Sequence, residues 1–165
     1  INQPNYIVAA NIPYNITSAI LRHLLEGDIK PRRIVLTVQK EVAERICAKP
    51  GGLSLLALSV QVYGKPEIVA TIPAGSFHPA PKVDSAILRI DIYDEPLIPS
   101  EFLNSFFKYI KAGFAQKRKM LRNSLASGLH IPPVDVKALL TSAGIDPMRR
   151  AETLSIEEWK GLCEK

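Results

Sequence analysis

The amino-acid sequence predicts a mixed α/β segment over residues 1–94, followed by an all-helical segment over residues 95–165. Three observations predict it. Short apolar, β-branched runs alternate with helix-period stretches through the first segment, the pattern of an open sheet with crossover helices. The composition changes at Asp94-Glu95-Pro96-Leu97-Ile98-Pro99, a polar and proline-rich junction. Beyond Ser100 only the helical period of apolar residues remains.

Each element follows from local pattern. Tyr6-Ile7-Val8-Ala9-Ala10 is a short apolar strand that ends at Asn11. Thr17 to Glu26 carries Ile20, Leu21, Leu24 and Leu25 at helical spacing, and Gly27 occupies the position where a helix commonly turns left-handed. The run Arg33 to Gln39 is rich in β-branched residues and reads as a buried parallel strand. Lys40 to Ala48 reads as a short helix stopped by Pro50-Gly51-Gly52, and Leu53 to Tyr63 as a buried helix, a strand remaining open. Glu67 to Pro73 and Val83 to Tyr93 form two further strands around an irregular loop, Ser76 to Pro81. In the helical segment, Phe102, Leu103, Phe106, Phe107 and Ile110 make one apolar stripe, and Met120, Leu121 and Leu125 begin another. Pro132-Pro133 precedes a helix over Val134 to Ala143, which Gly144-Ile145-Asp146-Pro147 ends. Ser155-Ile156-Glu157-Glu158 is a capping box that opens a last helix through Trp159 and Leu162.

With 47% hydrophobic and 22% charged residues the chain has the composition of a soluble globular protein. Its longest apolar stretch, Leu53 to Val62, is too short for a membrane span, and no basic-then-apolar signal segment opens it. A start at Ile1 rather than Met suggests a piece of a longer protein or a processed product. Cys47 and Cys163 are too few for a disulfide framework, which makes a reducing cytoplasm the expected location. The net charge of +5 is uneven. Between Glu101 and Asp135 there is no acidic residue, while Lys108, Lys111, Lys117, Arg118, Lys119 and Arg122 fall in that window. Such an imbalance favours a polyanionic partner, with a merely solvated helix face as the open alternative.

The residues Asn11-Ile12-Pro13-Tyr14 stand at the carboxyl end of the first strand, where open α/β sheets bind ligands. The Asn11 side-chain oxygen and a backbone carbonyl of Ile12 or Pro13 can accept both N–H bonds of an exocyclic amine, and Tyr14 offers a face to a planar base. No carboxylate, thiol or metal is required. The structural alternative is a strand-to-helix turn rigidified by Pro13 and capped by Asn15 or Thr17. The nine glycines contain no G-x-G, no P-loop and no dinucleotide fingerprint. The sheet edge therefore has an amine-binding ledge without a cofactor loop.

Four strings along the chain resemble the ribosomal RNA adenine N6,N6-dimethyltransferases that act on the small subunit. They are Asn11 to Ile16, Gln39 to Arg45, Phe77 to Ala86, and Phe114 to Leu125; Gly144 to Pro147 and Arg150 to Ser155 match as well. The tetrapeptide alone is weakly specific, but the strings in this order are strongly so and span nearly the whole chain. The resemblance implies the C-terminal half of a Rossmann-like, class I methyltransferase sheet followed by a small helical domain. It implies transfer of methyl groups from S-adenosylmethionine to N6 of two adjacent adenines near the 3′ end of small-subunit rRNA, during ribosome maturation. On this sequence Asn11 and the Pro13 carbonyl would hold the amine, and Asn11 would also border the cofactor. Tyr14 would stack on the flipped base, with Phe77 packing from another side. Lys117, Arg118, Lys119 and Arg122 would meet rRNA phosphates, Arg118 and Arg122 from one helix face. Arg149, Arg150 and Glu152 are expected to be structural, and His78 is given no proton-transfer role.

Two departures stand out. Gly51-Gly52-Leu53-Ser54 lacks the aromatic and basic residues usual in the family before Leu-Ser, which leaves RNA contact by this loop in doubt. The family's Gly-rich cofactor loop, ribose-binding acid and adenine-binding segment precede the tetrapeptide and are not in this sequence. These residues alone are therefore expected neither to bind S-adenosylmethionine usefully nor to methylate. A monomer is expected for the full-length protein, and self-association of this chain through an uncovered sheet. The macrolide-resistance methyltransferases of large-subunit rRNA share the tetrapeptide but not normally the Lys117 to Leu125 and Arg150 to Ser155 strings. A non-catalytic rRNA-binding assembly factor is the alternative from another class.

Overall fold

The computed structural model describes residues 6–165, which divide into two compact units. The first runs to Cys47 and resumes over Ser59–Glu95; the second joins Ala48–Leu58 to Pro96–Lys165.

The first unit is a four-stranded sheet with two helices. β1 (Ile7–Asn11) leads through α1 (Thr17–Glu26) to β2 (Arg33–Gln39), and α2 (Lys40–Ile46) follows at once. After α3 (Leu55–Gln61), which crosses from the second unit into the first, come β3 (Gly64–Ile72) and β4 (Ser85–Ile92). The strand order is β1-β2-β4-β3. β1 and β2 are parallel, as a helical crossover requires, while β4 runs antiparallel to both β2 and β3. The expected mixed α/β class is thus present, with one correction. β2 is parallel on one side only, and its burial alternates: Ile34, Leu36 and Val38 are fully buried, whereas Arg33, Val35, Thr37 and Gln39 are half-buried. Side chains that alternate faces along a strand put one set in the core and leave the other facing out. In register, Ile34 lies opposite Ile90 and Leu36 opposite Leu88, so the buried face continues across β4. The outer face carries the ion pairs Arg33–Asp91 and Arg89–Glu67, the latter at 2.7 Å.

α1 has the bounds its apolar spacing predicts, but its end differs. Gly27 is extended (φ −67°, ψ 156°) rather than left-handed. A Cβ there would stand 3.0 Å from the His23 carbonyl, so close approach of the backbone explains the residue. β3 starts at Gly64, earlier than the composition suggests. A Cβ at this position would lie 2.7 Å from the Asp91 carbonyl across the sheet, so only glycine lets the strands meet there. Among the described residues no helix is long and apolar enough to cross a membrane.

The second unit packs α4 (Leu103–Phe114), α5 (Leu121–Leu129), α6 (Pro133–Ser142) and α7 (Ile156–Cys163). Phe106, Ile110, Leu121, Leu125, Leu140 and Trp159 are fully buried within it. α4 and α5 are in close contact: a Cβ on Gly128 would stand 2.7 Å from Ala112 Cα. The predicted capping box is formed at α7. The Ser155 hydroxyl accepts from the Glu158 N–H at 3.2 Å, and the Glu158 carboxylate accepts from the Ser155 N–H at 2.9 Å. Residues 48–58, placed with the first segment by the sequence pattern, cluster with the second unit. The N–H groups of Gly51 and Leu53 both donate to the Glu152 carbonyl, at 2.9 and 3.3 Å.

Candidate active site and basic turn

The carboxyl ends of β1 and β2, the end of β3 and the beginning of β4 share one edge of the sheet. Asn11 is opposite Thr37, Gln39 is opposite Ser85, and Ile72 is opposite Ser85 on the other side. At this edge Asn11 is exposed and Ile12 is buried, so the chain is pinned at Ile12 while Asn11 stays accessible. Pro13 fixes the turn (φ −59°, ψ 135°), and Tyr14–Ile16 form one 3-10 turn closed by the Ile16 N–H on the Pro13 carbonyl at 3.2 Å. That bond occupies one lone pair of the Pro13 oxygen. No N–H of the turn bonds to the Ile12 carbonyl among the described residues. Of these two carbonyls, only that of Pro13 accepts a backbone N–H among the described residues.

The expected cap is not made. Ile16 holds the N-cap position of α1, without a side-chain bond, and the Thr17 hydroxyl instead donates to the Tyr14 carbonyl at 3.1 Å. This tightens the 3-10 turn before the helix begins. The half-buried Tyr14 shares a 2.5 Å hydrogen bond between its hydroxyl and that of Ser85, which is fully buried at the start of β4.

Phe77 belongs to the connection between β3 and β4. A 3-10 turn, Ala74–Ser76, precedes it, Phe77 itself is extended and half-buried, and the His78–Pro79 peptide is cis. The loop is fastened by Asp84, whose carboxylate accepts the Ala74 N–H at 3.0 Å and whose carbonyl accepts the Lys40 N–H at 3.0 Å. Tyr14 is thus tied to Ser85, and the segment bearing Phe77 to the neighbouring Asp84. His78 is exposed. An open cleft of about 480 Å³ next to this loop is bordered by Gln39, Lys40, Glu44, Lys82 and Asp84, and by none of Asn11, Tyr14 or Phe77. Asp84 and Ser85 were not singled out as site residues by sequence reasoning. The signal was present only as two letters inside the Phe77 to Ala86 string.

In the second unit the basic segment is not one helix. Residues 115–119 form the turn between α4 and α5, and only Arg122 is helical, in the first turn of α5. The shared face of Arg118 and Arg122 is therefore absent. Three consecutive cations with no acidic residue nearby give a helix no stabilising i,i+4 pair. Gln116 instead organises a turn: its carbonyl accepts from Lys119 N–H at 2.9 Å and from the Ser124 hydroxyl at 3.3 Å, and its amide donates to Ser127 at 3.2 Å. Lys117, Arg118 and Lys119 are exposed, with no carboxylate within 4.0 Å among the described residues. α5 has no acidic residue in its first turn, so these cations crowd the positive end of its dipole. Arg149, by contrast, is consumed in structure. It pairs with Glu158 and donates to the Thr153 carbonyl at 2.7 Å, while the Leu121 N–H donates to the Arg149 carbonyl at 2.7 Å.

A profile of the family described as ribosomal RNA adenine dimethylase matches residues 2–164. Ribosomal RNA small subunit methyltransferase A of Dehalococcoides mccartyi (strain CBDB1) is 52% identical over 158 residues, which are 96% of this chain and 54% of that protein. The protein of the same name from Desulfitobacterium hafniense (strain DSM 10664 / DCB-2) is 42% identical over 160 residues, covering 96% of this chain and 57% of that protein. The chain spans about half the length of the curated relatives it matches. Among solved structures it is similar to the 23S rRNA methyltransferase ErmE, with a TM-score of 0.71, 29% identity, and 98% of this chain and 66% of that chain covered. A dimethyladenosine transferase from Plasmodium falciparum gives a TM-score of 0.76 and 25% identity over the same shares.

Proposed function

The chain belongs to the ribosomal RNA adenine dimethylase family, and on that premise we propose that it carries the substrate-binding part of an S-adenosylmethionine-dependent RNA adenine N6-dimethyltransferase. The substrate proposed is small-subunit rRNA, at two adjacent adenines near its 3′ end, within a ribosomal subunit precursor. The observation that supports this most is the Asn11-Ile12-Pro13-Tyr14 turn at the end of a parallel strand, with exposed Asn11 beside an Ile12 carbonyl that takes no backbone N–H among the described residues, and the Tyr14 hydroxyl bonded to Ser85. The name shared by the curated relatives supports the small subunit over the large one.

In this reading the target adenine leaves its stack and enters the ledge. Tyr14 and Phe77 offset the lost stacking, at about 1–3 kcal/mol per base–aromatic contact. The Asn11 side-chain oxygen and the Ile12 carbonyl, with the second lone pair of the Pro13 carbonyl in reserve, accept the two N6–H bonds. Holding both hydrogens turns the N6 lone pair out of conjugation with the ring and toward the donor. N6 gains the methyl group before it loses a proton, so no side chain is required as a general base. S-adenosylmethionine supplies the electrophilic methyl. Of the residues here, Asn11 has the exposure and the amide chemistry to border that donor, and no Gly-rich turn is present to cradle the rest of it. This chain alone is accordingly proposed to be inactive, and the full-length protein to work as a cytoplasmic monomer. An uncovered first unit is proposed to self-associate, since Ile7 on β1 and Val69 on β3 are 48% and 53% exposed.

Lys117, Arg118, Lys119 and Arg122 are proposed to contact rRNA phosphates, which contribute affinity and little sequence readout. Choice of adenines would then come from RNA shape. The test is methyl transfer by the full-length protein to small-subunit particles and to large-subunit rRNA, with modified bases identified by mass spectrometry. N6,N6-dimethyladenine in small-subunit rRNA is expected. Product on large-subunit rRNA alone would replace this reading with that of the macrolide-resistance branch, and binding without any product would favour an assembly factor.

A further inference from the structure

We infer that Ser85 is a positioning residue that sets the plane of the Tyr14 ring; this deepens, and rests on, the reading of Tyr14 as the stacking partner of the target base. A tyrosine on a short turn has two side-chain torsions, and its ring becomes a defined platform only when both are held. The backbone end of Tyr14 is held by the Thr17 hydroxyl on its carbonyl at 3.1 Å. The far end is held by Ser85, whose hydroxyl is 2.5 Å from the Tyr14 hydroxyl.

The anchor is itself buried in the sheet. Ser85 is 0% exposed, and it opens β4 between Gln39 of β2 and Ile72 of β3. The preceding residue, Asp84, is fastened to Lys40 and Ala74 through its carbonyl and its carboxylate, each at 3.0 Å. A buried hydroxyl requires a partner, and that of Ser85 has one in the Tyr14 hydroxyl. The Asp84-Ser85 pair therefore fixes both aromatic elements of the site: the ring of Tyr14 directly, and the loop that carries Phe77 through Ala74. Ser85 touches no reacting atom; it acts through Tyr14.

A double-mutant cycle in the full-length protein tests this. Tyr14→Phe keeps the stacking ring and loses the anchor from one side; Ser85→Ala loses it from the other. Each is expected to lower the rate constant for methyl transfer by about tenfold, with the KM for RNA little changed. The double variant should lose no more than either single one, because both remove the same interaction. Ser85→Cys, a weak donor of similar shape, gives a second cycle and is expected to resemble Ser85→Ala. Losses that multiply in the double variant would overturn the inference while leaving the methyltransferase reading intact. So would a Ser85→Ala protein whose melting temperature falls while its folded fraction keeps full activity. A wild-type protein that transfers no methyl group to adenine N6 would instead sink the underlying reading, and this inference with it.

Discussion

Alanine at Gly128 should destabilise the second unit even though alanine is the better helix former. Gly128 lies in α5 against α4, and a Cβ built there stands 2.6 Å from Ala112 Cβ, 2.7 Å from Ala112 Cα and 3.2 Å from the Ala112 carbonyl oxygen. Unstrained carbon contacts lie at about 3.5–4.0 Å, so the helices must separate by roughly 1 Å. The obstructing atoms are backbone and Cβ rather than a flexible chain end, which puts the cost in the upper part of the usual overpacking range of about 1–3 kcal/mol. Helix propensity returns about 1 kcal/mol. The expected net loss is about 1–2 kcal/mol. Gly161, in α7, is the control: nothing lies within 4 Å of a Cβ there, so Gly161→Ala should gain up to about 1 kcal/mol. Both are read by urea unfolding followed through the fluorescence of the single tryptophan, Trp159, which is fully buried in α7. The two substitutions should shift the midpoint in opposite directions. A Gly128→Ala midpoint as high as that of Gly161→Ala would refute the close packing of α4 on α5.

Two further outcomes follow from the charges of the second unit. The Arg149 hydrogen bond holds the Glu158 carboxyl below its ordinary pKa, with smaller help from the Ser155 N–H. A lowered folded-state pKa stabilises above the unfolded value, and that contribution fades as pH falls through the folded one. Stability should thus decline on the acid side of the carboxylate range, and Glu158→Gln should flatten that decline in unfolding midpoints taken across it. Replacing Lys117, Arg118 and Lys119 with alanine should weaken binding of the full-length protein to different RNAs about equally. It should also reduce the slope of log affinity against log salt by about 0.7–0.9 per lost phosphate contact; an unchanged slope would remove these residues from the interface.

What could be read from the sequence, and what could not, divides along a physical line. Thr17–Glu26 has the bounds its apolar spacing gives, and the Ser155–Glu158 capping box is formed, because both depend on residues three or four apart. Pairing direction does not: β2 looks like a buried parallel strand by composition, but its antiparallel partner β4 comes from 46 or more positions later in the chain. The Lys117–Arg122 segment kept its charge pattern and lost its helix, since Gln116 and the Leu121–Arg149 bond terminate α4 and start α5 at points that periodicity does not mark. The Asn11-Ile12-Pro13-Tyr14 string marked the turn that ends β1. The Ser85 hydroxyl bonded to that of Tyr14, 71 residues away, emerges only when the strands are laid side by side.

The most direct test of the amine-gripping ledge is single-turnover methyl transfer to small-subunit rRNA by full-length Asn11→Ala protein, with RNA binding measured on the same samples. Loss of an acceptor that orients N6 is expected to slow transfer by about 100-fold or more, while RNA affinity stays within about twofold of wild type. Transfer at near wild-type rate would mean that Asn11 does not hold the amine, and the ledge would be an ordinary strand-to-helix turn.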